Sequence, residues 1–497
     1  MNHPIQPPAV LTGLPPKSPG IPGYAWRQEV DQSTRLPVLT FTASAIAWLL
    51  IGSAFALLAA FKLDFPDWLA GQAALTFGRV RPAHLHATIY GWISMAGVGI
   101  MVWLWARLLK TPLRGQWLVL TAAVLWNTGL LVGVTAILAG GSTGVEWLEM
   151  PLTAFLFIVA ALLLVAIAMV WTLIHHRVEH FYISVWYLGA GMLWMPFLLL
   201  VVLLAPQKGL AQATANWWFA HNVVGLWLTP VGLATAYYLI PRITGKPIYS
   251  YNLAYLGFWT LALFFGWTGV HHLAGGPLPQ WLEAVSIAFS FMMIIPVVAV
   301  AVNFHKTMTG SFNRLKDSVA LRFVVFGAVS YTVVGLIGAV QSFRVYQEVV
   351  HFTQHTVAHA HLGVYAFASM IAFGALYHVV PRLTGRDWES SRLVNLHFWV
   401  AAGGITIQWA ALTIAGFTQG LQLLDPVIPF VEIARSLKPW LLVRSITGVF
   451  LTAGHFVFAW LLYRNVRPSS AVRTRMNSTA AQEAGFDVSA TIAQRSA

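Results

Sequence analysis

The sequence predicts an all-α polytopic membrane protein with twelve transmembrane helices. Of its 497 residues, 58% are hydrophobic and 9% are charged, and the mean hydropathy is +0.69. Soluble domains carry about 25% charged residues, so a water-soluble globule is excluded. The chain contains no cysteine, which excludes disulfides, thiolate metal sites and the CxxCH attachment of a haem to this chain.

Each predicted helix is an apolar run bounded by basic or turn-forming residues, and about 20 apolar residues are enough to cross the hydrocarbon core. A Pro-rich segment at 1–35 precedes the first run, which is too long for a cleaved signal peptide. The twelve helices form one domain at 36–466, and the polar tail at 467–497 is expected to be disordered. The predicted spans are 38–62, 83–109, 116–139, 151–174, 182–205, 216–240, 252–274, 281–304, 321–343, 354–380, 395–417 and 441–463.

The excess of positive charge lies on one side of the predicted domain. The chain has 29 Lys and Arg against 16 Asp and Glu, a formal net charge of +13. The termini and the connections after even-numbered helices hold 21 basic against 8 acidic residues, and the opposite side holds 8 against 8. Basic residues mark the cytoplasmic side, so both termini are expected in the cytoplasm. Spread over short segments, these residues do not indicate a nucleic-acid partner.

Six histidines fall at a similar depth, near the outer ends of four predicted helices. An ionisable residue within a membrane span is a candidate functional residue, and imidazole is a common ligand of haem iron, copper and zinc. The six therefore predict metal sites in the outer part of the membrane. They are His84 in the second helix, His221 in the sixth, His271 and His272 in the seventh, and His359 and His361 in the tenth.

The spacing of these histidines separates two kinds of site. His359 and His361 point about 200° apart around a helix, so one helix can hold a metal on each of two opposite faces. His271 and His272 lie near a helix end among glycines, where a local distortion can turn both rings toward one ion. His221 would complete a three-nitrogen site with an open position, as a catalytic metal requires.

The remaining histidines carry weaker expectations. His86 is expected to point away from His84. His351 and His355 share the stripe of His359 and would meet haem propionates or solvent. His455 is interpreted as a structural histidine within the twelfth helix. Six more are expected on the basic cytoplasmic surface: His175, His176, His180, His305, His378 and His397.

Seven motifs lie in order along the chain: RPAH at 81–84, EWLEMP at 146–151, NWWFAHNVVG at 216–225, KPIYSY at 246–251, GVHH at 269–272, HTVAHAH at 355–361 and SLKPWLLVR at 436–444. Together they resemble subunit I of the haem-copper oxygen reductases, most closely the C-type (cbb-type) branch. The resemblance covers nearly all of the twelve-helix region. It implies the subunit I fold and a respiratory enzyme of the cytochrome c oxidase type in a prokaryotic cytoplasmic membrane.

The resemblance also implies two haems and one copper ion. It assigns the low-spin haem b to His84 and His361, the high-spin haem to His359, and the copper to His221, His271 and His272. Arg81 and Arg444 would neutralise haem propionates, with snorkelling to lipid headgroups as the alternative. Glu149 becomes a candidate calcium ligand by its match to EWLEMP, with ordinary solvation as the alternative.

Two positions depart from the pattern of oxygen reductases. The branch carries its catalytic tyrosine six residues before the histidine pair, where this chain has Phe265. The other branches carry it four residues after the first copper ligand, where this chain has Gly225. Nitric oxide reductases also lack that tyrosine, although their typical carboxylate is absent from position 225 as well. Phe265 therefore favours NO modestly over O2 as the substrate.

The resulting prediction is the catalytic subunit of a respiratory haem-copper terminal reductase. Electrons would arrive from a c-type cytochrome or copper protein on the outer face. A genuine O2-reducing cytochrome c oxidase is the first alternative. Two alternatives belong to other functional classes, a secondary transporter and a haem-based sensor. A transporter would be expected to have intramembrane acidic residues or paired broken helices, and the sequence shows neither.

Overall fold

The computed structural model describes residues 25–205 and 208–467, and all regular secondary structure within them is helical. Twelve helices are long and apolar enough to cross a membrane, which confirms the predicted fold class and number of spans. Residues 1–24 of the Pro-rich segment and 468–497 of the tail lie outside the described residues. The helices are α1 (Ala25–Asp64), α2 (Phe77–Leu108), α3 (Gln116–Ala139), α4 (Leu152–Leu173), α5 (Ile183–Leu204), α6 (Gly209–Thr244), α7 (Tyr251–Leu273), α8 (Gln280–Met308), α9 (Val319–Gln341), α10 (Gln354–Thr384), α11 (Ser391–Leu423) and α12 (Lys438–Val466).

The first helix already includes Ala25, the first described residue, well before its apolar run and inside the segment predicted at 1–35. Its polar turns pack against the end of α2. Asp31 accepts a hydrogen bond from Trp103 Nε1 at 2.9 Å and lies 3.5 Å from Arg107 Nη1. Hydropathy could not predict this polar part of the helix, because tertiary polar contacts and not apolar burial stabilise it.

Three helices form the interior of the bundle. The most apolar windows of α2, α6 and α10 are 89–94% buried, whereas those of the other nine helices are 39–50% buried. The other nine therefore surround these three and face the lipid. Four of the six histidines predicted to bind metals lie on α2, α6 and α10, so the fold places them inside the protein.

Each of the three interior helices contains a π-helical segment. These segments are Ala87–Ile93 in α2, Val223–Leu228 in α6 and Leu362–Ser369 in α10. Each begins within three residues of a predicted ligand, His84, His221 or His361. π-Helical turns are rare and concentrate at functional sites, so their positions mark the same part of each helix as the histidines do.

Two histidines predicted on the cytoplasmic surface are buried, which makes that prediction wrong for them. His397 is fully buried on α11, and its Nδ1 is 2.8 Å from the Tyr377 hydroxyl. His378 is buried on α10, edge-on to the ring of Trp103. The charge pattern assigned them to the surface, but both lie on inward faces of their helices, where neighbouring helices cover them.

Candidate metal centres

Three histidines from two helices converge on one point. One ring nitrogen from each of His221, His271 and His272 lies within 4.8 Å of the others. The ring centroids are 5.0 Å apart for His221 and His271, and 5.4 Å apart for His221 and His272. Three imidazole nitrogens at this separation match a metal site with an open coordination position.

A break in α7 makes this convergence possible. The regular α-helix ends at Phe265, and a 3₁₀ turn, Val270–Leu273, presents the two neighbouring histidines. Gly269 precedes the turn with φ +103°, a conformation that favours glycine. A Cβ at this position would lie 2.7 Å from the Trp217 carbonyl oxygen and 2.9 Å from Cβ of His221. Glycine therefore lets the turn approach α6 closely enough for the rings to meet.

Hydroxyl groups orient two of the three rings. Thr268 donates to the Phe265 carbonyl oxygen at 2.6 Å, so its oxygen accepts from His221 Nδ1 at 2.9 Å. Ser290 donates to the Ser286 carbonyl oxygen, and its oxygen accepts from His271 Nδ1 at 3.0 Å. Both rings are thereby fixed with the proton on Nδ1, which leaves Nε2 available to a metal.

These hydroxyl partners were not predicted from the sequence. Thr268 lies three residues before His271, and Ser286 and Ser290 are spaced i, i+4 on one face of α8. The i, i+4 spacing of the two serines was the only sequence feature that could have indicated partners of a metal-binding histidine. It is common in helices without a metal site, so it could not be interpreted before the fold was known.

His359 lies against Gly338 of α9. Its Nδ1 is buried without a hydrogen-bond partner. A Cβ at Gly338 would lie 3.3 Å from Cε1 and 3.6 Å from Nε2 of this ring, so a larger residue there would crowd the imidazole. A histidine whose buried Nδ1 has no partner within the described protein fits an axial ligand of a haem.

His84 and His361 form a second pair. His84 Nδ1 donates to the Gly52 carbonyl oxygen at 2.9 Å, and His361 Nδ1 donates to the Val357 carbonyl oxygen at 2.8 Å. Both bonds leave Nε2 for coordination, as in a haem with two axial histidines. His361 interacts electrostatically with His84 and with Arg444 on α12, whereas His359 faces α9. The structure thus places the two histidines of α10 toward different helices, in agreement with the spacing argument.

Arg81 and Glu149 belong to a polar cluster at the start of α2. Arg81 hydrogen-bonds Glu146, and its Nη1 lies 3.7 Å from Glu149 Oε1. Glu149 is buried, and its Oε2 lies 2.8 Å from Nε2 of the fully buried His86. His86 therefore does point away from His84, and it has a partner that the sequence did not reveal. Calcium binding by Glu149 remains a prediction, and an ion would compete with Arg81 for Oε1.

Phe265 lies directly on the first predicted copper ligand. Its ring stacks on His221 with centroids 4.7 Å apart and planes 28° apart. The position predicted to differ from oxygen reductases therefore touches the three-histidine cluster.

His351 and His355 stay outside that cluster. His351 precedes α10, and its ring lies near the backbone of His272 and Ala274, where burial lowers its pKa. The Nε2 atom of His355 is 3.0 Å from the Tyr346 hydroxyl.

Comparison with known proteins agrees with this geometry. A family model described as cytochrome c and quinol oxidase polypeptide I matches residues 37–450. The cbb3-type cytochrome c oxidase subunit CcoN1 of Stutzerimonas stutzeri is 28% identical over 473 residues, covering 92% of this chain and 97% of the relative. A cytochrome c oxidase subunit 1 homologue of Azorhizobium caulinodans is 27% identical over 458 residues, covering 88% and 83%. A solved heme-copper terminal oxidase dimer has a TM-score of 0.71 at 19% identity, covering 90% of this chain and 85% of that chain.

Proposed function

The chain belongs to the family of cytochrome c and quinol oxidase polypeptide I, the subunit I of haem-copper oxidases, and we propose that it is the catalytic subunit of a respiratory terminal reductase that converts NO. Members of this family are oxidoreductases of electron transport. The observation that carries the proposal is the meeting of His221, His271 and His272 in the membrane interior, in contact with Phe265.

The residues present fit the groups that the family implies. His221, His271 and His272 would hold copper, His359 the high-spin haem, and His84 with His361 the low-spin haem b. When bound, the haems supply electron transfer, and the haem and copper together supply the binding and reduction of a small gas. The chain contributes imidazoles whose Nδ1 protons are held by hydroxyl and carbonyl oxygens, so Nε2 of each of these rings would be the atom that binds a metal.

The preference for NO rests on what surrounds His221. Splitting the O–O bond requires an extra electron and proton, which a tyrosine beside the copper supplies in oxygen reductases. Phe265 and Gly225 carry no transferable hydrogen, whereas coupling two NO molecules needs only two electrons. O2 reduction is the second candidate, and the cytochrome c oxidase relatives support it.

The charge distribution supports an orientation in the membrane. The side that carries the chain ends holds 21 basic and 8 acidic residues, which supports a cytoplasmic position for that side. The metal centres then lie toward the outer face of a prokaryotic cytoplasmic membrane. The electron donor would be a c-type cytochrome or copper protein docking on that face, since this chain has no cysteine for a covalent haem.

The test is reductant-driven turnover of the purified membrane complex, supplied separately with NO and with O2. We expect NO consumption to exceed O2 consumption, and rapid O2 consumption with no NO turnover would reject the preference. His221→Ala should abolish both activities while the low-spin haem spectrum persists. Loss of that spectrum in His221→Ala would contradict the ligand assignment.

Metal analysis of the same preparation separates the rival classes. The proposal requires two haems and one copper ion per chain. Two haems without copper, together with no gas consumption, would instead support a sensor. A preparation without haem would contradict the proposed function and would support the secondary transporter instead.

A further inference from the structure

Ser53, His455 and Tyr365 form a buried chain of hydrogen bonds that connects α1, α12 and α10. Ser53 Oγ lies 2.7 Å from His455 Nδ1, and the Tyr365 hydroxyl lies 2.8 Å from His455 Nε2. Ser53 and His455 are 7% and 5% exposed. His455 was interpreted from the sequence as an isolated structural histidine, but it joins three helices.

The direction of each hydrogen bond follows from the partners. Ser53 donates its only proton to the Leu49 carbonyl oxygen at 2.7 Å, so its oxygen accepts from His455 Nδ1. The Nε2 atom of the neutral ring then carries no proton and accepts from Tyr365. Both ring nitrogens are thus satisfied by neutral groups, and the ring is held in one tautomer and one orientation.

Both ends of this series of hydrogen bonds lie next to the residues that are proposed to hold the low-spin haem. Ser53 follows Gly52, whose carbonyl oxygen accepts the Nδ1 proton of His84. Tyr365 lies one turn beyond His361 on the same face of α10. His455 therefore connects the segment of α1 that orients one axial ligand to the segment of α10 that carries the other.

Gly52 also lies at a close contact between α1 and α2. A Cβ at Gly52 would lie 3.0 Å from Thr88 Oγ1 on α2, so α1 and α2 nearly touch here. Thr88 Oγ1 is itself 3.3 Å from His84 Nδ1 and can share its proton. A small displacement of Gly52 would weaken the bond from His84 and leave the weaker Thr88 contact.

We propose that His455 is a positioning residue for the low-spin haem, holding Gly52 and Tyr365 so that His84 and His361 keep their orientation. The inference rests on the proposed function. A hydrogen bond from Nδ1 to a carbonyl makes a histidine ligand more basic, and a more basic ligand stabilises ferric haem. Weakening that bond raises the midpoint potential of the haem.

A second histidine–tyrosine pair provides a matched control. His397 Nδ1 lies 2.8 Å from the Tyr377 hydroxyl, and both residues are buried. Tyr377 follows Tyr365 by twelve residues, roughly 18 Å along a helix. Phe373 separates the two histidines, with its ring centroid 6.0 Å from His455 and 4.7 Å from His397.

The experiment compares His455→Leu with His397→Leu in the purified complex, by redox titration of the low-spin haem and by the g-values of its ferric EPR signal. We expect both variants to lower thermal stability. Only His455→Leu should raise the midpoint potential and shift the g-values. His455→Gln, which can still donate and accept, should restore a potential closer to wild type.

Other results would reject the role of His455. The role is rejected if the midpoint potential of the low-spin haem is unchanged in His455→Leu, or if it shifts equally in His397→Leu. If His455→Leu does not fold, Tyr365→Phe and Tyr377→Phe form the same comparison. A smaller rise in the midpoint potential of the low-spin haem is then expected for Tyr365→Phe and not for Tyr377→Phe. A wild-type protein without a six-coordinate low-spin haem would reject the proposed function as well, so the two failures are distinguishable.

Discussion

Phe265 occupies the volume that a side chain at position 225 would need. A Cβ on Gly225 would overlap Cε1 and Cζ of the Phe265 ring. These two positions, on α7 and α6, are the ones predicted from the sequence as the places of a tyrosine or a carboxylate in related enzymes. With the Phe265 ring in place, stacked on His221, position 225 has no room for a side chain.

Phe265→Tyr should increase O2 reduction relative to NO reduction. The substitution adds a hydroxyl at Cζ, beside the proposed copper ligand, and supplies the proton and electron donor that Phe265 lacks. We expect the ratio of O2 to NO turnover to rise about tenfold, equivalent to about 1.4 kcal/mol of barrier. Parallel turnover assays with both gases measure this ratio, and an unchanged ratio would mean that the tyrosine position does not determine substrate preference.

Gly225→Ala should destabilise the protein by about 1–3 kcal/mol, because the added methyl group overpacks the contact with Phe265. Thermal unfolding in detergent measures the effect. Gly97→Ala is the matched control, since a Cβ there would meet only Val231 Cγ1, at 3.4 Å. The combination Gly225→Ala with Phe265→Leu should recover part of the loss, and additive losses in the double variant would contradict the overlap.

Thr268→Val should weaken copper binding by about 10–100-fold, the usual cost of losing a hydrogen-bond partner of a metal-bound histidine. The change removes the oxygen that accepts the Nδ1 proton of His221 and keeps the volume. Copper content after dialysis against graded chelator gives the affinity. Thr260→Val, whose hydroxyl bonds only the Leu256 carbonyl in the same helix, should retain wild-type copper, and a loss there would point to a general effect on α7.

Glu149→Leu should destabilise the protein by about 1–3 kcal/mol, because it removes the carboxylate partner of the fully buried His86 and leaves Nε2 only the longer contact with the backbone N–H of residue 149, at 3.2 Å. Thermal unfolding is the measurement, and Glu146→Leu, which removes a more exposed carboxylate from the same Arg81, should stay close to wild type. His86→Leu with Glu149→Leu should cost less than the sum of the two single changes. Equal losses of stability for Glu146→Leu and Glu149→Leu would show that the contact between Glu149 and His86 does not stabilise the protein.

The same residues address the predicted calcium site. If Glu149 binds calcium, a chelator should lower the stability of wild type and leave Glu149→Leu unaffected. If the chelator has no effect on wild type, the carboxylate serves His86 and Arg81 alone.

The sequence predicted the twelve helices because lipid requires long apolar runs, and it placed most of their boundaries within a few residues. The polar part of α1 before its apolar run was not predicted, because Asp31, Trp103 and Arg107 stabilise it through polar contacts between distant segments. The histidines that lie together could be grouped by depth and helix number alone. Their convergence could not be derived, because it depends on the break after Phe265 and on the positive φ of Gly269.

The supporting residues were harder to predict than the ligands. A ligand is a rare residue type in an apolar run, whereas Thr268, Ser290 and Ser53 are common ones whose roles depend on which helix packs beside them. The roles of His86 and His455 were hidden for the same reason. Each has its decisive partner in a distant segment, 63 and 402 residues away along the chain for Glu149 and Ser53.

The π-helical segments of α2, α6 and α10 constrain how the gene can change in length. Each π turn carries one residue more than an α-turn, and deleting one residue would restore the α-turn by rotating one half of the helix against the other by about 100°. The half that carries His84, His221 or His361 would then face a different neighbour. Single-residue deletions within Ala87–Ile93, Val223–Leu228 or Leu362–Ser369 should therefore be selected against even where every individual side chain tolerates substitution.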